Sequence, residues 1–307
     1  MSVPFFGRFA VVLSVCVTPA CLATIHAEDD LEEASASGAS PAGPHDDDAA
    51  PVRDDETVSE DKIQEQTLLL ISPHEPVYFA LGFNDRTNAR FQLGFKFRFV
   101  NRHGELSRQA PTFFDHLYFG YAQTVLWDLQ SDSTPFLDST YRPSLFWRDE
   151  RLESWSDDTR EVSLETGFEH ESNGKDDPES RSVNTVYAKP AWDWTLQSGL
   201  HAVVEPKVWA YIGKSDNPDI DDYRGFFDLR LELFDPEGFG ISSNMRLGRD
   251  PHHGYLEVDA TYPMRRLFSG DLEGFLLVQY VNGWGESIIA YDEKSPAQVR
   301  IGFALVR

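Results

Sequence analysis

From residue 76 onward the chain alternates apolar and polar residues with a period of two, in short runs separated by turn-forming residues. Phe91, Leu93, Phe95, Phe97 and Phe99 alternate with Gln92, Gly94, Lys96 and Arg98. Phe227, Leu229, Leu231 and Leu233 alternate with Asp228, Arg230 and Glu232, and Leu256, Val258, Ala260 and Tyr262 with Glu257, Asp259 and Thr261. Successive side chains of a strand point to opposite faces, so this period predicts strands with one apolar and one polar face. Strands are predicted near 76–84, 90–100, 116–128, 140–149, 160–171, 183–194, 199–212, 222–234, 238–248, 254–262, 272–282 and 297–306. Long segments of helical period are lacking in this region, so the fold class is all-β.

Two architectures fit the pattern. In a soluble β-sandwich the apolar face packs inward. In a transmembrane β-barrel it faces lipid and the polar face lines the interior. Several segments reach the roughly 9–11 residues that a tilted spanning strand needs, and aromatic residues, 13% of the chain, are plentiful enough for membrane-interface girdles. An even strand count places the N-terminal tail and the C-terminus on one side.

Residues 1–27 read as a signal peptide. Arg8 precedes an apolar run from Phe9 to Val17, and small residues surround a cleavage point after Ile25-His26-Ala27. The run is short for a membrane anchor and is followed by Pro19. Both cysteines, Cys16 and Cys21, fall inside this segment, so the mature chain has no thiol, which excludes a disulfide scaffold and thiol catalysis. An envelope location suits this combination. Residues 28–70 read as an acidic, solvated tail, rich in Asp, Glu, Ala, Ser and Pro with almost no aromatics, which leaves 71–307 for the folded domain. A net charge of −24 with no basic cluster argues against a nucleic-acid partner.

The strongest candidate chemistry lies in the run His170-Glu-Ser-Asn-Gly-Lys-Asp-Asp-Pro-Glu-Ser-Arg-Ser182 and the Val183-Asn184 that follows. On a strand His170 and Ser172 project from one face, shared with Val162, Leu164 and Phe168, and Asn184 shares parity with Val186 and Ala188. In a barrel that face is the outside. A serine hydroxyl becomes a useful nucleophile when an imidazole takes its proton and a third group fixes the imidazole tautomer. Ser172, His170 and the Asn184 carbonyl can fill these roles, and Gly174 lets a backbone N–H approach an oxyanion. The oxygen-rich loop from Lys175 to Ser180 suits a hard cation such as Ca²⁺. From spacing alone the same residues read equally well as a strand end followed by a Ser-Asn-Gly turn. No Gly-x-Ser-x-Gly occurs, which argues against a soluble α/β-hydrolase. His252-His253 reads as a solvated turn.

The 170–184 run closely resembles the active-site segment of the bacterial outer membrane phospholipase A family. The resemblance extends through Leu117-Tyr-Phe-Gly-Tyr-Ala-Gln123, Ser133-Thr-Pro-Phe136, Tyr141-Arg-Pro-Ser-Leu-Phe146, Lys207-Val-Trp209, Gly213-Lys-Ser-Asp-Asn-Pro-Asp-Ile220 and Gly283-Trp-Gly-Glu-Ser-Ile288. It implies a 12-stranded antiparallel transmembrane barrel of the outer membrane, multi-pass, with a Ser/His/Asn triad on its outer surface. The activity it implies is calcium-dependent hydrolysis of sn-1 and sn-2 acyl esters of glycerophospholipids and lysophospholipids. By position, His170 matches the base, Ser172 the nucleophile, Asn184 the orienting residue and Gly174 the oxyanion glycine. Ser180 and the carbonyl of Lys175 match calcium ligands, where the family carries arginine in place of lysine. Ser133 matches a ligand supplied by a second subunit, so the active form implied is a reversible homodimer. Asp177 and Asp216 match carboxylates of a second calcium position in the monomer. Gln123, on the apolar parity of its strand, matches a glutamine in the dimer contact, where an amide facing hydrocarbon finds a partner. A catalytically silent barrel with a structural or binding role is the alternative reading. The acidic tail departs from the family.

Overall fold

The computed structural model of the chain describes residues 70–83, 87–100, 113–176, 178–268 and 272–307. The leader expected over 1–27 and the acidic tail expected over 28–70 lie outside the described residues, Leu70 apart. Thirteen strand segments form one antiparallel sheet. They are β1 (Ile71–Pro73), β2 (Val77–Phe83), β3 (Thr87–Arg98), β4 (Leu117–Asp128), β5 (Phe136–Asp149), β6 (Arg160–Ser172), β7 (Ser182–Thr195), β8 (His201–Gly213), β9 (Phe227–Phe234), β10 (Gly240–Leu247), β11 (Gly254–Pro263), β12 (Phe275–Trp284) and β13 (Lys294–Val306). Each pairs with its neighbour in sequence from β2 to β13, and β13 returns to pair with β2. The sheet is therefore a closed 12-stranded barrel, because β1 and β2 are two pieces of one interrupted strand along β3.

That interruption has a chemical cause. Pro73 and Pro76 bracket it, and neither can donate to a ladder. His74 and Glu75 turn into the barrel. His74 stacks on Phe146 with centroids 4.8 Å apart, and Glu75 pairs with Arg142 and accepts from Gln92 Nε2 at 3.2 Å. Gly94 gives the inturned segment its room, since a Cβ there would lie 3.0 Å from the Glu75 Cβ.

The two faces separate as the alternation predicts. Leu93, Phe95, Leu145, Phe168, Val186, Val208, Val299, Ile301 and Phe303 are exposed on the outside. The inside holds ion pairs: Glu165 with Arg148 and Lys189, Glu169 with Lys207, Asp228 with Arg246, Glu257 with Arg90, and Glu286 with Arg300. They surround a polar cavity of about 440 Å³. A sandwich with an apolar interior is excluded by this inversion. No helix among the described residues is long and apolar enough to cross a membrane; the crossing elements are strands.

Observed strands match the predicted segments with three main differences, the first being β1, which lies outside every predicted segment. The segment predicted as strand over 222–234 begins as a helix, α1 (Ile220–Arg224), and only then becomes β9. Five helical residues are too few to show a 3.6-residue period. The strand predicted over 140–149 starts earlier, at Phe136. One end of the barrel is capped by loops in which Ile220 and Ile288, both 0% exposed, pack with Val183 and Tyr291. His253 belongs to this cap. It stacks on Tyr223 at 4.3 Å and meets Trp284 at 4.6 Å, so only His252 fits the solvated turn expected for the pair.

The closing seam between β13 and β2 is tight at Gly302, where a Cβ would lie 1.9 Å from the Phe79 carbonyl oxygen. Overpacking of this kind costs about 1–3 kcal/mol or more. Gly302→Val should therefore lower the fraction that refolds to the compact form seen in unheated electrophoresis. An unchanged fraction would contradict the seam.

Candidate active site

β6 and β7 pair along their whole length, with His170 opposite Asn184 and Ser172 opposite Ser182. Directly opposite residues bring their side chains together on one face, and His170 Nδ1 lies 2.8 Å from Asn184 Oδ1. An amide oxygen can only accept, so Nδ1 carries the proton and Nε2 presents its lone pair. This is the tautomer a general base needs.

The aim of Asn184 is set by β8. The β7–β8 register shifts between Asn184 and Thr185, whose partners are Gly213 and Tyr211, leaving Ile212 as the extra residue of a β-bulge. Bulges re-aim neighbouring side chains. Gly213 opens the space that Asn184 occupies, because a Cβ there would lie 3.0 Å from Asn184 Nδ2.

Ser172 ends β6 on the same face as His170, beside the exposed Phe168. Ser172 Oγ makes no hydrogen bond among the described residues, and catalytic contacts of this kind often tighten only with substrate bound. Gly174 follows with φ of +65°, and a Cβ on it would lie 3.2 Å from the Tyr141 ring. Conformation and the ring both favour glycine there.

The loop from 173 to 181 is knitted by a residue the sequence reading left without a role. Asn173 is 5% exposed. Its Nδ2 donates to Glu179 O at 2.8 Å, and its Oδ1 accepts from Arg181 N at 3.0 Å and Lys175 N at 3.3 Å. Lys175 Nζ pairs with Glu179 Oε2 at 2.7 Å, and this bond holds the Glu179 carboxyl below its usual range. Asp216 reaches in from the β8–β9 loop, where its Oδ2 accepts from Ser182 Oγ at 2.8 Å and Ser180 Oγ at 3.3 Å. The Ser182 hydroxyl chiefly, with Ser180 and Ser215, holds the Asp216 carboxyl below its ordinary value. The neighbouring Asn217 Nδ2 donates to Ser182 O at 2.7 Å.

The structure thus brings together His170, Ser172, Asn184, Gly174, Lys175, Ser180 and Asp216. Ser133 comes from a separate segment. It is exposed in the β4–β5 turn, and β5 runs five residues, 136–140, beyond Tyr141, the partner of Ser172. Asp177 lies outside the described residues. Gln123 faces outward on β4, and its Oε1 accepts from Tyr121 OH at 3.0 Å.

Among the described residues no group of three or more His, Cys, Asp or Glu could hold a metal ion. The described residues thus form no carboxylate cage, but the Ser180 hydroxyl, the Lys175 carbonyl and the nearby Asp216 are hard oxygen donors of the kind Ca²⁺ takes. They fit such an ion as part of a shell. Calcium typically takes six to eight ligands, so these donors would supply only part of its shell.

A family model described as phospholipase A1 matches residues 64–305. Phospholipase A1 of Salmonella typhimurium is 32% identical over 192 residues, which span 61% of this chain and 60% of that protein. Outer membrane phospholipase A from Escherichia coli superposes with a TM-score of 0.63 at 25% identity, covering 76% of this chain and 98% of the other. The dimer of the Salmonella typhi outer membrane phospholipase with bound calcium gives a TM-score of 0.62 at 26% identity, covering 76% and 91%.

The role of Asn173 is directly testable. Removing its amide leaves the loop donors and acceptor unpaired, at about 1–3 kcal/mol. Asn173→Ala should make tryptic cleavage after Lys175 and Arg181 several-fold faster, read by mass spectrometry; equal rates would show that the loop does not depend on it.

Proposed function

The chain belongs to the phospholipase A1 family, and we propose that it hydrolyses sn-1 and sn-2 acyl esters of glycerophospholipids and lysophospholipids at the outer surface of its barrel. It is a multi-pass outer-membrane protein. The observation that carries the proposal is the 2.8 Å bond from His170 Nδ1 to Asn184 on a face shared with lipid-exposed apolar residues. A base on that face meets acyl esters and has no use in a passive pore.

In the proposed mechanism His170 Nε2 takes the Ser172 proton as Oγ attacks the ester carbonyl carbon. Asn184 keeps the ring oriented and stabilises the imidazolium through its carbonyl. The Gly174 N–H is the donor offered to the oxyanion. Collapse breaks the ester C–O bond, and His170 returns its proton to the leaving alcohol. Water, deprotonated by His170, then hydrolyses the acyl-serine. Ser180 Oγ, the Lys175 carbonyl and Ser133 of a second copy would hold calcium, whose chemistry when bound would be electrophilic stabilisation of the oxyanion.

Pairing of two chains follows from the same residues. Ser133 and Ser180 come from different loops, and the proposed ligand set takes Ser133 from a second copy. Gln123 supports the contact, since Tyr121 occupies its oxygen and its Nε2 remains to donate across an interface in hydrocarbon. Asp216, with Asp177, is proposed as a cation position of the unpaired chain. Control then follows mass action: substrate and pairing both increase when the membrane is disrupted.

Ser172→Ala should reduce ester hydrolysis on mixed micelles by about 10³-fold or more while the protein still refolds. Equal hydrolysis by both proteins would support the silent-barrel alternative. Chelation of Ca²⁺ should reduce wild-type turnover and shift the sedimentation profile from dimer to monomer; activity indifferent to chelation would remove the calcium role alone.

A further inference from the structure

Between the two outward-facing residues His170 and Ser172 sits Glu171, which faces the barrel interior. Its Oε1 accepts from Arg224 Nη1 at 2.8 Å. The pair is enclosed, with side chains 14% and 8% exposed. Arg224 is the last residue of α1, in the loop that caps the barrel. Its Nε donates to Gly285 O at 3.2 Å, and Gly285, with φ of +71°, leaves so little room that a Cβ would lie 2.9 Å from Arg224 Cγ. One carboxylate on β6 therefore joins three segments distant in sequence: the strand bearing the triad, the β8–β9 helix and the β12–β13 loop.

This link falls at a gap in the β5–β6 ladder. The β5–β6 ladder pairs Tyr141 with Ser172 and Ser144 with Glu169, and is interrupted between them. The register positions facing His170 and Glu171 are Pro143 and Arg142, and proline has no N–H to give. The end of β6 is thus secured by β7 on one side and incompletely by β5 on the other. Side chains alternate along a strand, so fixing the inward pitch of residue 171 also fixes the outward pitch of 170 and 172.

We propose that Glu171 and Arg224 are positioning residues of the site: their ion pair, braced by Gly285, holds the strand end so that His170 and Ser172 share one outward geometry. The proposal rests on the reading of Ser172 as nucleophile and His170 as base. Neither Glu171 nor Arg224 touches substrate, and their effect passes through the backbone of β6.

The test uses the full refolded chain and the double variant Glu171→Leu/Arg224→Met, which leaves neither charge of the pair buried alone. Three quantities are read per folded molecule: kcat and KM on mixed micelles, and the rate at which a long-chain sulfonyl fluoride modifies Ser172. Small misplacements of reacting groups cost up to about 10²-fold in rate. The double variant should refold, keep KM within about twofold, and lose about 10–100-fold in both kcat and the sulfonylation rate. A folded double variant with wild-type kcat and sulfonylation overturns the proposal, as does a variant that loses only folded fraction, which is what a purely structural pair predicts. Should the double variant not refold, Arg224→Lys keeps the charge but loses the forked contact to Glu171 and Gly285. A folded lysine variant with wild-type kcat overturns the proposal equally. A wild-type protein that neither hydrolyses ester nor reacts with the reagent removes the catalytic reading first and this inference with it, a result distinct from failure of the variants alone.

Discussion

Every backbone N–H and C=O that crosses lipid needs a partner within the protein, because hydrocarbon offers none and each unpaired group costs several kcal/mol. That requirement closes the sheet through the β13–β2 seam and the β3–β4 ladder. Closure then decides which residues sit where. With no free edge, each strand has one face to lipid and one to a narrow interior, so apolar residues go out and charges go in. Charges confined to that interior must pair, as Glu165, Glu169, Asp228 and Glu286 do. Polar groups on the outer face become costly exceptions. His170, Ser172, Asn184 and Gln123 are such exceptions, and this is why they are the candidates for function.

The alternation makes most strands legible in the sequence, since half the residues of each strand are selected by lipid. It failed where another force acted. β1 escaped notice because Pro73 and Pro76 break the run, and the two residues between them turn inward to Phe146 and Arg142. The early part of β5 was hidden by Asp138 and Ser139, of which Asp138 is 2% exposed and accepts from Ser287. Polar residues in a row resemble a loop, although a buried acid in a barrel interior is ordinary. The helix at 220–224 was absorbed into a neighbouring strand because Tyr223, Gly225 and Phe226 continue a broken alternation. His253 read as solvated because its stacking partners, Tyr223 of α1 and Trp284 of β12, are distant in sequence.

The candidate site divides in the same way. Parity alone placed His170 and Ser172 on one outward face. The meeting of His170 with Asn184 depends on register between β6 and β7, and the aim of Asn184 depends on a bulge at Ile212 and on the space above Gly213. Register is a property of pairs of strands, and a single sequence states only the members. Asn173 had a local signal, since Ser-Asn-Gly marks a turn and its bond to Lys175 N is local, but its bonds to Glu179 and Arg181 reach across the loop. The Glu171–Arg224 pair spans 53 residues and gave no local signal at all.

These buried pairs are poor candidates for net stabilisation, because desolvation offsets most of their Coulombic attraction. Their contribution is better sought in position. β6 carries three inward glutamates, and each is tied to a different neighbour. Glu165 meets Arg148 of β5 at 2.9 Å and Lys189 and Tyr187 of β7 at 3.2 and 2.9 Å. Glu169 meets Lys207 of β8 at 2.9 Å, and Glu171 meets Arg224 of α1. A strand needed only to cross the membrane would be held well enough by its ladders. β6 is held in addition from the inside, along the stretch whose other face bears His170 and Ser172. The arrangement turns the polar interior, which closure makes unavoidable, into the support for reactive groups on the lipid side of the same strand.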